Sequence, residues 1–508
     1  MPDAFAVPAP FRRICRVVLP LGWIAAASAA SGQEPHPPGL TLDAVVRTTL
    51  EASAEVRSAE AGVRRQEGVL QEARGAFDPR LSTVLSARRV QDPSQAGAAD
   101  APVASSLGME YGVAVDRRLR SGIVLAPQVS VSRTEAPGTD LLARNLATAS
   151  LDVRVPLGRG RGGGVAAAQV TAARGAHAAA AADLRHRRDE SALRSVEAYW
   201  GYLAAVQRLD VLRRAETRAA RLVDETRRLV EADQLPAADL VRVAASLASR
   251  RAARIAGEQG LTTARQALGL AMGIPADSLA TLPPPATPFP APGGSAPDSV
   301  PSARAVVAEA LRARDDLAAV RRRREAAQTL QRGARSEMRP QVDLELSLGY
   351  TGAEDGGALD RMLAPLSGRS GFHAGVQLST GLALGNRSAE GMAMQSAADE
   401  QDAASAEREL ARRIALEAET ATRTLGRSAE ELAQTAESVR LNSTAVENER
   451  RKFQLGGSTL FDVLYAEDGL TSATLAHIDG ELRHATALAR LRFAAGSLAP
   501  DAGGPRRD

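Results

Sequence analysis

The sequence predicts a mainly helical fold with strands: a tandem duplication in which each copy sets one very long helix antiparallel to two half-length helices and adds a group of β-strands. Three observations predict it. The segment carrying Ala44-Val45-Val46, Leu50, Ala73-Arg74 and Pro79 returns as Ala305-Val306-Val307, Leu311, Ala334-Arg335 and Pro340, at a constant offset of 261. A second set, Arg228, Asp239, Leu247, Leu268 and Gly273, returns as Arg451, Asp462, Leu470, Leu491 and Gly496, at a constant offset of 223. Two offsets mean a duplicated unit whose first copy is longer in its middle by the difference, 38. The third observation is a change of hydrophobic period between the matching ends, from helical to alternating and back.

The element reading begins with an address. Arg12, Arg13 and Arg16 precede an apolar run over 17–30 and then small residues, the pattern of an export signal over residues 1–32. Cys15, the only cysteine, precedes the apolar run and is not placed for lipid attachment, so the mature chain would carry no disulfide or thiol chemistry. The first repeat is read over 33–282, opening with a helix over 41–76 that stops before Pro79.

Alternation then takes over. Leu81, Thr83 and Leu85; Leu107, Met109, Tyr111, Val113 and Val115; Ile123, Leu125, Val129 and Val131; and Ala149, Leu151, Val153 and Val155 predict about four strands with one apolar and one polar face. The surplus hairpin near 107–132 supplies most of the extra length, and its place in or outside a barrel is left open. From alternation alone a soluble sandwich and a membrane barrel are equal; export and the flanking helices favour the barrel. No later segment has the apolar length of a membrane helix, so any membrane crossing must be made by strands.

Helical pattern fills 165–233 and, in the second copy, 388–456, each reaching roughly 100 Å at 1.5 Å per residue. Tight breaks follow at Asp233-Gln234-Leu235-Pro236 and Leu455-Gly456-Gly457-Ser458, and return helices of about half the length leave room for the opening helices to be stacked on them end to end. A Pro-rich linker over 283–301 reads as extended or irregular backbone. The second repeat, 302–499, carries a helix over 302–338 and two strands, around Val342–Tyr350 and Phe372–Leu384, and a tail follows over 500–508.

Composition bounds the function. With 44% hydrophobic but only 3% aromatic residues, thin Ala-rich helix contacts fit better than thick globular cores. The 63 basic and 60 acidic residues are dispersed along helices as solvated faces, and with so few aromatics to stack on bases no nucleic-acid partner is expected. Gly158-Arg159-Gly160-Arg161-Gly162-Gly163 matches a dinucleotide fingerprint literally, yet the chain continues as Ala-rich helix rather than a second strand, so the run reads as a strand-to-helix corner. The six histidines form no metal-ligand cluster; His477 and His484, seven apart on one helical face, read as packing or surface residues. No nucleophile, base and orienting acid stand at meaningful spacing, so neither an enzyme nor a cofactor is expected.

Taken in order, Leu40-Thr41-Leu42-Asp43-Ala44-Val45, the Ala-Arg-Gly-Ala-Phe-Asp-Pro run at 73–79, the corners Pro156-Leu157-Gly158-Arg159-Gly160 and Leu384-Gly385-Asn386-Arg387, and Gly456 with Asp462-Val463-Leu464 and Ala466 resemble the TolC-like outer-membrane efflux family over nearly all of the mature chain. The resemblance implies a homotrimer in outer-membrane lipid, with strands from each chain in one shared β-barrel and helices in one periplasmic α-barrel. It implies as partners a periplasmic adaptor and an inner-membrane transporter, and as function the exit duct for small molecules such as drugs or metals. The exit duct of a one-step protein secretion system has the same architecture and stands as the alternative, with a soluble periplasmic coiled-coil scaffold more remote.

Asp239 and Asp462 occupy matching places just after the two turns. A carboxylate in the first turn of a helix is favoured by the helix dipole and needs no other role; the resemblance implies instead a charged ring or gate contact at the tunnel's closed end. Phe453 and Ser458 stand where the family often has tyrosine and arginine, and Tyr465 where it has a second acid. Phe453 offers no phenolic hydroxyl, so a closed gate of Asp239, Asp462, Phe453 and Tyr465 must be held differently or less firmly than one with tyrosine at that place. The turns Gln234-Leu235-Pro236 and Gly456-Gly457-Ser458 are the adaptor-docking candidates that the resemblance implies.

Overall fold

The computed structural model describes residues 39–92, 104–135, 144–291, 302–355 and 369–497; the expected signal segment, the end of the Pro-rich linker and the tail lie outside them. The first repeat runs α1 (Leu42–Ala52), α2 (Ala54–Gly75), β1 (Arg80–Asp92), β2 (Ala104–Arg118), β3 (Val124–Glu135), β4 (Arg144–Pro156), a single turn α3 (Gly163–Ala166), α4 (Ala168–Glu231), α5 (Ala237–Met272) and a 3₁₀ turn (Ala276–Thr281). The second runs α6 (Ala303–Ala313), α7 (Asp315–Glu337), β5 (Gln341–Asp355), β6 (Arg369–Gly381), α8 (Arg387–Gln454) and α9 (Leu460–Ala494). Among the described residues no helix is long and apolar enough to cross a membrane.

The helices α4 and α8, 64 and 68 residues long, are the two uprights of a wall one helix thick. Beside them α2 stands over α5 and α7 over α9, so the strips run α2/α5, α4, α7/α9, α8. Small side chains make this possible: Ala172, Ala179, Ala182, Ala192, Ala204 and Ala205 are buried along α4, and thin contacts bring helix axes close. The sequence reading of 41–76 and 302–338 as single helices is corrected here, because each is broken in two. Ser53 and Arg314, equivalent positions of the two repeats, both leave the helical path with ψ near 125°. The cause lies in the strip below. Each return helix ends in a left-handed glycine, Gly273 at φ 68° and Gly496 at φ 74°. A Cβ there would lie 3.1 Å from the Ala52 carbonyl oxygen in one copy and 3.2 Å from the Ala313 carbonyl carbon in the other. The stacked halves thus meet at mid-height, where α1 and α6 swing out onto one face of the wall.

All six strands form one antiparallel sheet in chain order, β1 through β6. The hairpin β2–β3 is an integral part of it, with β2 paired to β1 from Arg80↔Asp116 to Asp92↔Ala104 and β3 paired to β4 from Val124↔Arg154 to Thr134↔Arg144. Its turn faces the helices rather than the far end, since Gly122 abuts Pro156 and the Gly160 carbonyl. One row across the register reads Thr83, Val113, Val129, Ala149, Tyr350, Phe372, and the next polar row reads Ser82, Ala114, Gln128, Ser150, Gly349, His373. The hairpin therefore continues the apolar face of its neighbours in phase, as a one-residue slip would forbid. On the polar face Gln128 donates to Asp152 at 3.1 Å and Arg154 to Glu345 at 2.7 Å. At the corner, Gly158 donates to the Val342 carbonyl at 3.1 Å and a side chain there would collide with the Pro340 carbonyl, which accounts for the glycine-rich run without a nucleotide.

The largest core joins α1, α4, α5 and α9 through Val45, Tyr199, Trp200, Leu203, Leu268 and Ala485. The described part of the Pro-rich linker is packed into it: Leu40 pairs with Pro285 as a parallel bridge, Thr287 N–H donates to the Tyr199 hydroxyl at 2.8 Å, and Phe289 lies against Trp200. Extended backbone is what the prolines predict. Its docking, by Tyr199 and Trp200, is a tertiary effect.

Candidate functional site

The far end of the helical wall is made of two turns built alike. In the first, Asp233 N–H donates to the Val230 carbonyl and Gln234 N–H to Leu229; in the second, Gly456 donates to Phe453 and Gly457 to Lys452. Each donor and acceptor of the second turn is the duplicate of its counterpart in the first. This is the paired bonding of a left-handed helix stop, and φ is positive at 55° for Asp233 and 75° for Gly456. The remaining turn residues, Leu235, Pro236 and Ser458, lead straight into α5 and α9, whose caps are Pro236 and Thr459.

Asp462 closes the second turn. Its carboxylate accepts from the Thr459 hydroxyl at 2.6 Å and the Thr459 N–H at 3.0 Å, while its own N–H donates back to that hydroxyl, a reciprocal capping box. Those hydrogen bonds, the hydroxyl's first, hold the Asp462 carboxyl below its ordinary value. Ser458 donates to Glu449 at 2.8 Å and lies 3.3 Å from Asp462, so the serine ties the end of α8 to the start of α9. Glu449 in turn pairs with Lys452 at 2.6 Å. Lys452 is the sole lysine in a chain whose other cations are arginines. Asp239, at the matching place, sits half-buried in the first turn of α5 with Arg242 4.0 Å away. Among the described residues no hydrogen bond or ion pair joins Asp239 to Asp462.

Phe453 packs with Leu222, Leu240 and Leu464 around Val223, Val243 and Leu460, so the ring belongs to a small core shared by α4, α5, α8 and α9. Tyr465 is 74% exposed, as are Leu455 and Phe461 at 82% and 62%. An apolar, solvent-facing tip surrounds the second turn.

One feature escaped the sequence reading. Along the α4–α9 seam, Glu197 pairs with Arg490, Arg208 with Asp479 and Arg218 with Glu467. The partners on α4 recur about every three turns, and the seam is where the first repeat meets the second; the spacing of these charges was the available signal. Near the tip the acids are shared: Glu467 takes Arg218 of α4 at 2.6 Å and Arg450 of α8, and Asp468 takes Arg250 of α5. Charges from three helices converge on one turn of α9. The two histidines, read above as packing or surface residues, both lie between α8 and α9: His484 Nδ1 is 3.2 Å from the Ser428 hydroxyl and His477 Nδ1 3.2 Å from Thr435.

Residues 306–497 match the family model for outer membrane efflux protein. No curated protein sequence matches. The fold is that of the TolC-like outer-membrane channels: Vibrio cholerae VceC (18% identity, TM-score 0.63, 90% of this chain and 96% of that one), Campylobacter jejuni CmeC (14%, 0.65, 91% and 87%) and the open state of Neisseria gonorrhoeae MtrE (17%, 0.61, 91% and 91%).

Proposed function

Because the chain has the fold of the TolC-like outer-membrane channels and the outer membrane efflux protein pattern over its second repeat, we propose that it is the exit duct of a tripartite efflux system, closed as a homotrimer and exporting small molecules across the periplasm and outer membrane. One observation carries the reading: a six-stranded sheet with a single apolar face, continuous with a helical wall about 100 Å long. Strands β1 and β6 are the two edges of that sheet, and they run in opposite directions. An edge of one copy pairs antiparallel with the other edge of the next, which removes every open edge in lipid. Six strands from each of three copies make a barrel of eighteen, a size that leaves an aqueous channel.

The two turns are the end that meets an adaptor and an inner-membrane transporter, with Gln234, Leu235, Pro236, Gly456, Gly457 and Ser458 as docking candidates and Leu455 and Phe461 as apolar contacts. We assign the gate to the same end, with Asp239, Asp462 and Tyr465 as its proposed lining and Phe453, part of the tip core, behind them. The lone lysine makes the test clean. An amine-reactive crosslinker applied to the assembled system should join Lys452 to an adaptor, and Lys452→Arg should abolish that product. Compact monomers in detergent, or crosslinks confined to the N-terminal amine, would sink the duct or its docking end respectively.

A further inference from the structure

At mid-height one face of the wall holds a cavity of about 1140 Å³, lined from α2, α4, α7, α8 and α9. Neither α1 nor α6 contributes to it among the described residues. Arg187 in the cavity and Val196 against α1 are about two and a half turns of α4 apart, and the cavity shares only Leu193 with the core that α1 covers, so most of it lies across α4 from α1. If the wall closes into the duct proposed above, the face free of added helices is the lumen.

The lining is lopsided in charge. Six arginines, Arg65, Arg187, Arg314, Arg323, Arg413 and Arg490, face four acids, and the acids are already engaged. Arg187 is paired with Glu190 at 2.6 Å, Arg323 with Asp183, and the buried Arg314 with Asp316 and Glu417 at 2.7 and 2.6 Å. Arg490 is held by Glu197 at 2.6 Å from beside the cavity. Arg65 and Arg413 are exposed and, among the described residues, have no acidic partner. Between the charges lie Leu410, Leu416 and Phe493, an apolar floor. A low-dielectric wall behind unpaired guanidinium groups focuses positive potential, and guanidinium binds carboxylate, sulfonate and phosphate through paired donors.

We infer that this cavity is a selectivity station of the lumen for amphipathic anions, Arg65 and Arg413 meeting the anionic head while Leu416 and Phe493 take the apolar body. The inference rests on the duct reading and names the class of solute that the duct favours. The test uses the assembled full-length protein in planar bilayers, with naphthalene-1-sulfonate or 1-naphthylmethylammonium added from the barrel side, so that neither has to cross the turn end. The sulfonate should block at lower concentration than the ammonium ion. Arg65→Gln with Arg413→Gln, both at exposed positions, should raise the half-blocking concentration of the sulfonate about tenfold, since each copy around one axis loses both free charges. Arg65→Glu with Arg413→Glu should reverse the preference. Equal block by the two ions, or sulfonate block unchanged in an assembled double glutamine variant, would overturn the station while leaving the duct intact. Assembled protein with no conductance at all would remove the duct and the station together.

Discussion

Arg218 of α4 donates through Nε to Glu467 of α9 at 2.6 Å and reaches Thr471 with its Nη2 at 3.3 Å, so the two repeats are fastened to each other one turn above the gate candidates. Within each repeat the return helix packs against the lower half of the long helix. Between repeats, the α4–α9 seam is packed near mid-height through Trp200, Ala485 and Ala489, and below that core it carries the ion pairs Arg208–Asp479 and Arg218–Glu467, with the Phe453 core at its foot. Ion pairs separate with little loss once water reaches them, whereas packed alanine seams do not. If the turn end opens as proposed, this lower part of the seam is where the wall is expected to yield.

Glu467→Gln is expected to raise the open fraction in single-channel records, because it leaves Arg218 and Arg450 facing each other with no acid between them. A double-mutant cycle of Arg218→Gln with Glu467→Gln, read from thermal dissociation of the assembly, should return a coupling of about 1 kcal/mol, that of a partly buried pair. Coupling near zero with unchanged gating would place the yielding seam elsewhere.

The two turns make opposite predictions for equivalent positions. Asp233 holds φ 55° with a side chain that disfavours it, whereas Gly456 holds φ 75° at no steric cost. Asp233→Gly should leave the first turn intact and change stability by less than about 1 kcal/mol, while Gly456→Ala should cost about 1 kcal/mol or more. Midpoints of heat-induced dissociation decide it; equal effects at both sites would mean that the bonding pattern, not φ, limits the turn.

Much of the fold was legible because duplication and period are properties of the chain itself. The offset 261 matched the opening helices of the two repeats through Pro79 and Pro340, the offset 223 matched the two turns and return helices, helix lengths gave the mid-height meeting point, and the alternation of Leu107 through Val131 marked a hairpin. Periodicity cannot say which strand is a neighbour, so the hairpin's place between β1 and β4 had to come from the register. The breaks at Ser53 and Arg314 were invisible for a similar reason: the causes, Gly273 and Gly496, are far away in the chain. At the tip the sequence located Asp239, Asp462, Phe453 and Tyr465, but it could not show that Phe453 is core while Tyr465 is open, nor that Arg218, Arg250 and Arg450 converge on Glu467 and Asp468.

The register makes the hairpin removable in a specific way. Strand β1 runs antiparallel to β4 as β5 does to β6, so excising residues 104–135 lets β1 pair directly with β4 and returns the first repeat to two strands. A trimer would then close with twelve strands, and because barrel diameter grows roughly linearly with strand number, the bore should shrink by about a third. Conductance and the size of polymer excluded should both fall while assembly persists. A deletion that assembles with unchanged conductance would show that the bore is set below the strands.

Acid should loosen the α8–α9 pair before it affects the tip. Burial pushes the His484 imidazole below its ordinary value of 6.5, so the unfolded chain binds a proton there more readily than the folded one. The stability this represents is fully present above 6.5 and is lost as pH falls through the lower folded value. Its ring nitrogen meets the Ser428 hydroxyl on α8, and among the described residues no charged group adds to the effect of burial. His484→Gln should flatten the stability profile in mildly acidic buffer; a profile unchanged by the substitution would clear His484 of the effect.

The last prediction separates the two roles of Asp462. Its depressed carboxyl value means the capping box is intact above the ordinary aspartate value of 3.8 and is lost as pH falls through the lower folded one. Capping engages one carboxylate oxygen, which takes the bonds from Ser458 and Thr459. Three copies around an axis would still concentrate negative charge at the turn end, favouring cations and block by multivalent cations. Asp462→Asn retains an oxygen able to accept from Thr459 but removes the charge, so it should lower cation preference and weaken multivalent block with little change in thermal stability. Asp239→Asn, at a residue without a capping box, should mainly raise the open fraction if that carboxylate holds neighbouring turn helices together. Thr459→Ala is the converse probe: it breaks the box and keeps the charge, and should cost about 1 kcal/mol while leaving selectivity unchanged. If Asp462→Asn and Thr459→Ala behave alike, lowering stability and sparing selectivity and block, Asp462 is a cap alone and the gate must be built from other residues.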